Sequence, residues 1–451
     1  MMVEDDGYII EKVTKHLFGT WRVQRDWASP LNIVGGEGAY LIDSRGRRYL
    51  DFSSQLVCVN LGYGNKRIIR AIKEQLDILA YLGPGYATRI RAEAAEALAS
   101  ILPERLNKFV FSSSGSEANE DAIKIARAYK YPSFKILARY WSYHGNTAGA
   151  ISLTGDPRRS SVESHTSMDW VVRIPDPYCY RCPFGYEDCG ECGLACLEYT
   201  EYILANEGHV AAIFLETITG TNGVIVPPDD FYPRLRRLAD EYDVLLVFDE
   251  VMTGWGRTGK WFAFEHWGVE PDILTTAKGA TSSYVPIGIT AVDRDVASYF
   301  DDKFLPIGHT FAYHPLAMAA MKAAIQEYKE GGYIDNAAKV GEYLGKRLRE
   351  LMDRHPCIGD VRGIGLFWGV ELVRDRKTKE PFNTREDKVM GRPLMTQKVA
   401  RKMLEYGVIL PMAWISNFVI APPLVATEED IDLGVEALDK ALTIADEEVR
   451  S

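Results

Sequence analysis

The sequence predicts an α/β protein built on a doubly wound sheet, and three stretches carry that reading. Residues 244–248 form a short, unbroken apolar run that stops on two acids, Asp249 and Glu250, and residues 210–215 do the same and stop on Glu216. Runs of this kind suit strands covered on both faces. A third apolar piece, Ile273 and Leu274, passes through two threonines to Lys278 and Gly279. Amphipathic helical patterns alternate with the apolar runs over about residues 65–325, as a wound sheet requires. Ligands of open α/β sheets sit outside the carboxyl ends of the strands, so Asp249 and Lys278 can face one site.

Taken in order, residues 33–51 read as a small antiparallel unit with a turn at Ser44, Arg45 and Gly46, and residues 56–64 as an apolar strand-to-loop passage. Residues 65–79 and 91–102 have helical periodicity. Residues 108–111 form a strand that runs into a Ser/Gly turn, and an alanine-rich helix follows over 118–129. A strand, a Ser/Gly turn and a helix start make an anion site, because free N–H groups and the helix dipole converge there. Ser116 is the expected N-cap and anion ligand. A strand follows at 135–138, then Tyr143, His144 and Gly145 in a loop, Arg158 and Arg159 in a polar segment, and a helix over 231–242. Beyond Met318 a helix leads away from the sheet, residues 361–372 read as a strand pair, and helices over 394–406 and 427–447 close the chain. The last opens on a capping box at Thr427. The expected domains are 65–325 for the large one, with 1–64 and 326–451 forming a smaller α+β domain from both termini.

Composition narrows the function. The chain has 451 residues, 47% of them hydrophobic, and a net charge of -11, which fits a protein with a large core and argues against nucleic acid as the main partner. Residues 1–11 are acidic and lack the pattern of a signal peptide, and no apolar run is long enough for a membrane span, so a cytoplasmic location is expected.

The paired acid and lysine suggest pyridoxal phosphate chemistry. That cofactor needs an amine to hold it, a carboxylate at its ring nitrogen and donors for its phosphate. Each residue alone also has a bland reading, Asp249 as a turn cap and Lys278 as a solvated side chain. Gly254, Gly256 and Gly259 spell a dinucleotide-type glycine pattern, but they stand too far from the strand, in an aromatic context.

The run Ser114-Gly115-Ser116-Glu117-Ala118-Asn119, then Tyr143-His144-Gly145, Glu216, Asp249-Glu250-Val251, Gly254-Trp255-Gly256-Arg257-Thr258-Gly259, Ala277-Lys278-Gly279 and His309-Thr310-Phe311 closely resemble the class III aminotransferases in order and spacing. Cys58-Val59-Asn60-Leu61-Gly62 resembles the branch acting on terminal amines and ω-amino acids. The resemblance implies a fold type I enzyme, a homodimer or tetramer with sites at the interface, and pyridoxal 5'-phosphate as cofactor. It implies amino transfer from an amine donor to a 2-oxo acid, pyruvate or 2-oxoglutarate, in two half-reactions, with no metal taking part. Lys278 is then the Schiff-base lysine and Asp249 the partner of the ring nitrogen. Gly115, Ser116 and a partner subunit's Thr310 hold the phosphate, Tyr143 and Val251 cover the two ring faces, and Glu216 orients Asp249 and neighbouring groups. His144 supports its loop. Leu56, Val57, Tyr86, Tyr143 and Phe311 are the substrate-pocket candidates, with Val57 opening the larger pocket where relatives carry a tryptophan. Thr219 replaces a glutamine, and Met412 stands where several relatives carry a carboxylate-binding arginine, which leaves the holder of the acceptor's carboxylate unassigned.

Five cysteines, Cys179, Cys182, Cys189, Cys192 and Cys196, crowd one segment. Their spacing allows a structural metal, a disulfide or free thiols. The competing functions are a pyridoxal-phosphate racemase or aminomutase on the same scaffold, a nicotinamide oxidoreductase using the Gly254 loop, and a metal-stapled interaction protein.

Overall fold

The computed structural model describes residues 6–161 and 169–449; the acidic start at residues 1–5 lies outside them. Seven strands form the central sheet: β1 Leu106–Ser112, β2 Lys135–Arg139, β3 Val171–Ile174, β4 Val210–Glu216, β5 Leu245–Asp249, β6 Ile273–Thr276 and β7 Gly288–Asp293. Their spatial order is β1-β7-β6-β5-β4-β2-β3. Strands β2 to β6 run parallel, and β7 lies antiparallel to both β1 and β6. Every residue of β4, β5, β6 and β7 is buried, which explains their unbroken apolar character. This is the α/β, fold type I arrangement expected from the sequence.

Register sets the site. Glu216 is the direct partner of Asp249 across β4 and β5, and Asp249 is the partner of Thr275 across β5 and β6. Lys278 follows the end of β6 by two residues. The sheet therefore delivers two acids and the lysine to the same edge, on three neighbouring strands.

Two four-stranded sheets flank it. In one, Ile33–Glu37, Tyr40–Asp43 and Arg48–Asp51 form a meander, and Val408–Ile409 adds in parallel to Arg48–Asp51, so the two ends of the chain share a sheet. The other joins Ile358–Ile364, Phe367–Asp375, Glu380–Pro381 and Asn417–Ile420. The closing helix Glu428–Asp446 starts with the expected capping box, Thr427 with Asp430. Among the described residues no helix is long and apolar enough to cross a membrane.

Two local expectations are corrected. The passage after Asp51 is not a strand: Ser54–Val57 is a distorted helical turn with positive φ at Ser54, Gln55 and Val57. The buried Asp51 carboxylate causes this by accepting from the amides of Ser53 at 3.2 Å and Gln55 at 3.0 Å, which curls the chain back on itself. The helix expected to start at 118 runs Gly115–Tyr129, and its N-cap is Ser114, whose hydroxyl accepts from Glu117 N at 3.2 Å. Ser114 has the extended backbone a cap needs, whereas Ser116 is already inside the helix. The segment of five cysteines contains one disulfide, Cys179–Cys189, and leaves Cys182, Cys192 and Cys196 as thiols. No group of three or more metal-binding side chains occurs among the described residues.

Candidate active site

The carboxyl ends of β4, β5 and β6, the start of the Gly115–Tyr129 helix and the 143–146 loop enclose a cavity of about 630 Å³. Lys278, Asp249, Glu216, Gly115, Ser116, Tyr143, Val251, Leu56 and Met412 all line it.

Asp249 is 3% exposed and held on both oxygens. Its Oδ2 accepts from Asn119 Nδ2 at 2.8 Å and lies 2.9 Å from His144 Nδ1; its Oδ1 accepts from Val251 N at 3.0 Å. Asn119 is itself fixed, donating to His144 O at 2.6 Å and accepting from Thr275 Oγ1 at 2.6 Å. Of the groups the resemblance assigned to Glu216, it is hydrogen-bonded to the neighbouring backbone rather than to Asp249. Its oxygens accept from the backbone N–H of Tyr143 at 2.9 Å and of Gly220 at 2.8 Å, so it braces the loops on either side. Burial pushes the Glu216 carboxyl up to about 7, with the neighbouring Asp249 adding to the rise and His144 opposing it. The Lys278 amine is held below its ordinary range, chiefly by burial and further by the Arg158 charge, against the pull of Cys58, Asp249 and Glu216.

The helix start has the shape of an anion cradle. A Cβ on Gly115 would stand 2.9 Å from Val251 Cγ2, so only glycine leaves the backbone this close to the Val251 side chain. Ser116 Oγ accepts from Asn146 N at 3.1 Å, and Gly145 has positive φ with its Cα against the same serine. The Tyr143 ring faces the cavity with the Arg158 guanidinium 3.6 Å from its centroid and Trp21 edge-on at 6.4 Å. Arg158 is paired with the buried Asp156, Nε to Oδ2 at 3.0 Å.

An amine, a fixed carboxylate and a helix N-terminus on one cavity are the donor set that pyridoxal phosphate requires, so the residues fit the group. His144 Nε2 is buried without a partner among the described residues, leaving the face of the imidazole away from Asp249 able to accept one.

Four expected site residues lie elsewhere in this chain. Val57 is 1% exposed and packs with Ile218, Met252 and Phe367 in an apolar cluster, because its positive φ turns the side chain inward; it does not open the cavity. Tyr86, Thr310 and Phe311 are exposed and line no part of the cavity, since they sit on the outer face where Tyr81 donates to Thr310 O and stacks edge-on with Phe311. Sequence reasoning missed Asn119, although it is four residues from Gly115 and hence on the same helix face. Trp21, Arg158, Lys388 and Trp414 also reach the cavity from separate segments, with no spacing signal to announce them. The Gly254 pattern is a set of turns around the fully buried Trp255 and Arg257, not a phosphate loop.

Comparison with known proteins agrees with this geometry. The aminotransferase class-III family model matches residues 23–442. Among curated relatives, the chain is 37% identical over 430 residues to a leucine/methionine racemase of Thermococcus litoralis, covering 93% of this chain and 92% of that one. It is 35% identical over 437 residues to a taurine–pyruvate aminotransferase of Bilophila wadsworthia, covering 93% of each. Among solved structures, a taurine:2-oxoglutarate aminotransferase of Bifidobacterium kashiwanohense, in complex with PLP and glutamate, superposes with a TM-score of 0.91 at 34% identity over 99% of both chains. An (S)-enantioselective omega-transaminase from Thermomicrobium roseum gives 0.91 at 33% identity, covering 98% of this chain and 99% of that one. With a site assembled for pyridoxal phosphate and relatives matching along nearly its whole length, the chain belongs to the class-III aminotransferases.

Proposed function

We propose that this enzyme transfers the amino group of a terminal amine or ω-amino acid to pyruvate or 2-oxoglutarate, with Lys278 as the reacting amine. The observation that carries the reading is the register of β4, β5 and β6, which puts Glu216, Asp249 and Lys278 on one cavity. When bound, pyridoxal phosphate supplies an electron sink that makes the proton on the amine-bearing carbon labile. Lys278 would be the residue that holds the cofactor, and its amine, buried on the cavity, would be the group that takes and returns that proton. Its lowered pKa favours the neutral amine that both acts need. Asp249, aimed by Asn119 and His144, would be the partner of the ring nitrogen. Gly115, Ser116 and the partner subunit's Thr310 would hold the phosphate, and Tyr143 and Val251 would cover the ring faces. Arg158, stacked on Tyr143 and paired with Asp156, is one of the cations lining the cavity that a substrate anion could approach.

The proposed homodimer is supported by apolar side chains that one chain leaves exposed. Phe304, Ile78, Tyr86 and Phe311 are 88%, 78%, 67% and 56% exposed, an apolar surface that a second copy would cover. Such a copy would bring the partner subunit's Tyr86 and the partner subunit's Phe311 toward the mouth. A cytoplasmic location is part of this reading: the five cysteines outside the disulfide are thiols, which suits it, and the Cys179–Cys189 link is the exception.

The racemase relative supports a second reading, since a racemase would use the same lysine without an oxo acid. Incubating the holoenzyme with a panel of amines and each oxo acid separates the two. The proposal expects one new amino acid per oxo product. Interconversion of enantiomers with no oxo acid consumed would establish the racemase instead. Lys278→Ala should fold, bind cofactor non-covalently and show no turnover; a fully active variant would refute the assignment.

A further inference from the structure

We propose that Lys388 and Arg22 form an outer anion subsite at the cavity mouth, which takes the distal carboxylate of a dicarboxylic 2-oxo acid and so selects that class of acceptor. The inference rests on the aminotransferase reading and deepens it.

Lys388 lies on the short helix Arg385–Val389, which begins with a capping box between Thr384 and Asp387. Arg385 fastens this helix to the large sheet, donating from Nη2 to Tyr140 O at 3.0 Å and stacking 4.3 Å from the Trp141 ring centroid. The helix therefore holds Lys388 Nζ 4.6 Å from the ring centroid of Trp414, while the Arg158 guanidinium lies 4.5 Å from the same centroid. One indole thus carries two cations, an arrangement that cation–π attraction supports but mutual repulsion opposes.

The lysine is short of partners. Its ammonium has three donors, and its one hydrogen bond goes to Trp21 O at 3.5 Å, the long limit for such a contact. The charged groups facing it are Arg158 and Arg22, which repel it, and Asp156 and Asp26, which attract it. Burial is the largest influence and holds its amine below the ordinary range. Asp156 is already committed to Arg158 and to Asn222, 3.3 Å from its Oδ2. Among the described residues neither Lys388 nor Arg22 forms an ion pair, in a protein whose net charge is -11. Both line the main cavity together with Lys278, and both also line an adjoining cavity of about 320 Å³ at its mouth.

A monocarboxylic oxo acid has only the carboxylate beside its reacting carbonyl, which must stay at the inner end. A dicarboxylic acceptor carries a second at the far end of its chain, and a carboxylate placed between Lys388 and Arg22 would make the charge-assisted hydrogen bonds now missing. The anionic end of an ω-amino acid donor is the other source of the same chemistry, and the test separates them.

Wild-type, Lys388→Met and Lys388→Arg holoenzymes are assayed with 2-oxoglutarate and with pyruvate at saturating amine, and with neutral and acidic donors at saturating acceptor. Glutarate, which lacks the reacting carbonyl, is titrated against each protein by tryptophan fluorescence, since Trp414 and Trp21 border the subsite. The proposal expects Lys388→Met to raise the ratio of KM for 2-oxoglutarate to KM for pyruvate about tenfold, the loss of one charge-assisted hydrogen bond. Glutarate binding should weaken in parallel, and Lys388→Arg should restore both. Equal effects on the two oxo acids, no effect on either, or an effect confined to acidic donors would overturn it. Absence of amino transfer in the wild type would instead sink the aminotransferase reading, and the glutarate titration would still judge the subsite by itself.

Discussion

Replacing Asn119 by alanine tests whether the cofactor acid is positioned by its neighbours or merely present. The Asn119 amide is 1% exposed and donates to Asp249 Oδ2 at 2.8 Å. Its carbonyl accepts from Thr275 Oγ1 at 2.6 Å, which removes any freedom to flip. A hydrogen bond to a charged group contributes about 1.5–3 kcal/mol, and alanine leaves the carboxylate with one side-chain partner, His144. If Asp249 meets the ring nitrogen of the cofactor, that energy appears in cofactor affinity, at about tenfold per 1.4 kcal/mol. Reloading of stripped enzyme with pyridoxal phosphate, followed by absorbance, should show affinity weakened about 10- to 100-fold. Thr275→Val is the graded control, since it leaves the Asn119 donor in place and should cost less. Were Asn119→Ala to melt earlier yet reload with parental affinity, Asn119 would serve the fold alone and the assignment of Asp249 to the ring would lose its support.

Glu216→Gln gives a pH signature. The folded enzyme holds this carboxyl at about 7 against an ordinary value of 4.5, so between those values it keeps a proton that the unfolded chain has released. Stability is therefore greatest at the acid end of the window and falls as pH rises through it, by about 3 kcal/mol at 1.36 kcal/mol per unit. Urea midpoints of the cofactor-free protein should fall between about pH 4.5 and about pH 7 in the parent more than in Glu216→Gln; parallel curves would show that burial does not raise this acid. Cys179→Ser opens the Cys179–Cys189 link beneath Tyr178 and Arg181, both bound to the buried Glu371. A short loop of this kind contributes about 2–4 kcal/mol, so the variant should melt earlier and be nicked faster by protease in this segment, and unchanged cleavage would show the link to be dispensable.

How much of this was legible in the sequence depended on range. The acid and the lysine were readable because each terminates its own apolar strand, and strand ends in a parallel sheet share an edge without further information. The anion cradle was readable as a strand, a turn and a helix within one short stretch, with the helix start and its capping serine misplaced. The turn at Ser54–Val57 was not, because its cause is a buried carboxylate overriding an apolar pattern. Nor was the pairing of Cys179 with Cys189, since spacing leaves every connectivity open. The cationic mouth was the least legible part. Trp21, Arg158, Lys388 and Trp414 come from four distant segments, and their contacts, an ammonium or guanidinium over a ring, impose no periodicity on the chain.

The two acids on neighbouring strands explain why so much of the surrounding sequence is polar yet buried. Glu216 and Asp249 are buried register partners, so two charges would stand side by side. The chain treats them differently. Asp249 receives two side-chain partners and a backbone amide, and it faces the cavity where a cationic ring nitrogen can oppose it. Glu216 receives only backbone amides, and its carboxyl is raised to about 7. Near neutral pH it can shed its charge, relieving the repulsion without loosening Asp249. A glutamine at this position would remove the repulsion permanently, but one of its two polar ends is a donor and would face the N–H of Tyr143 or Gly220. A carboxyl that titrates can accept from both amides when ionised.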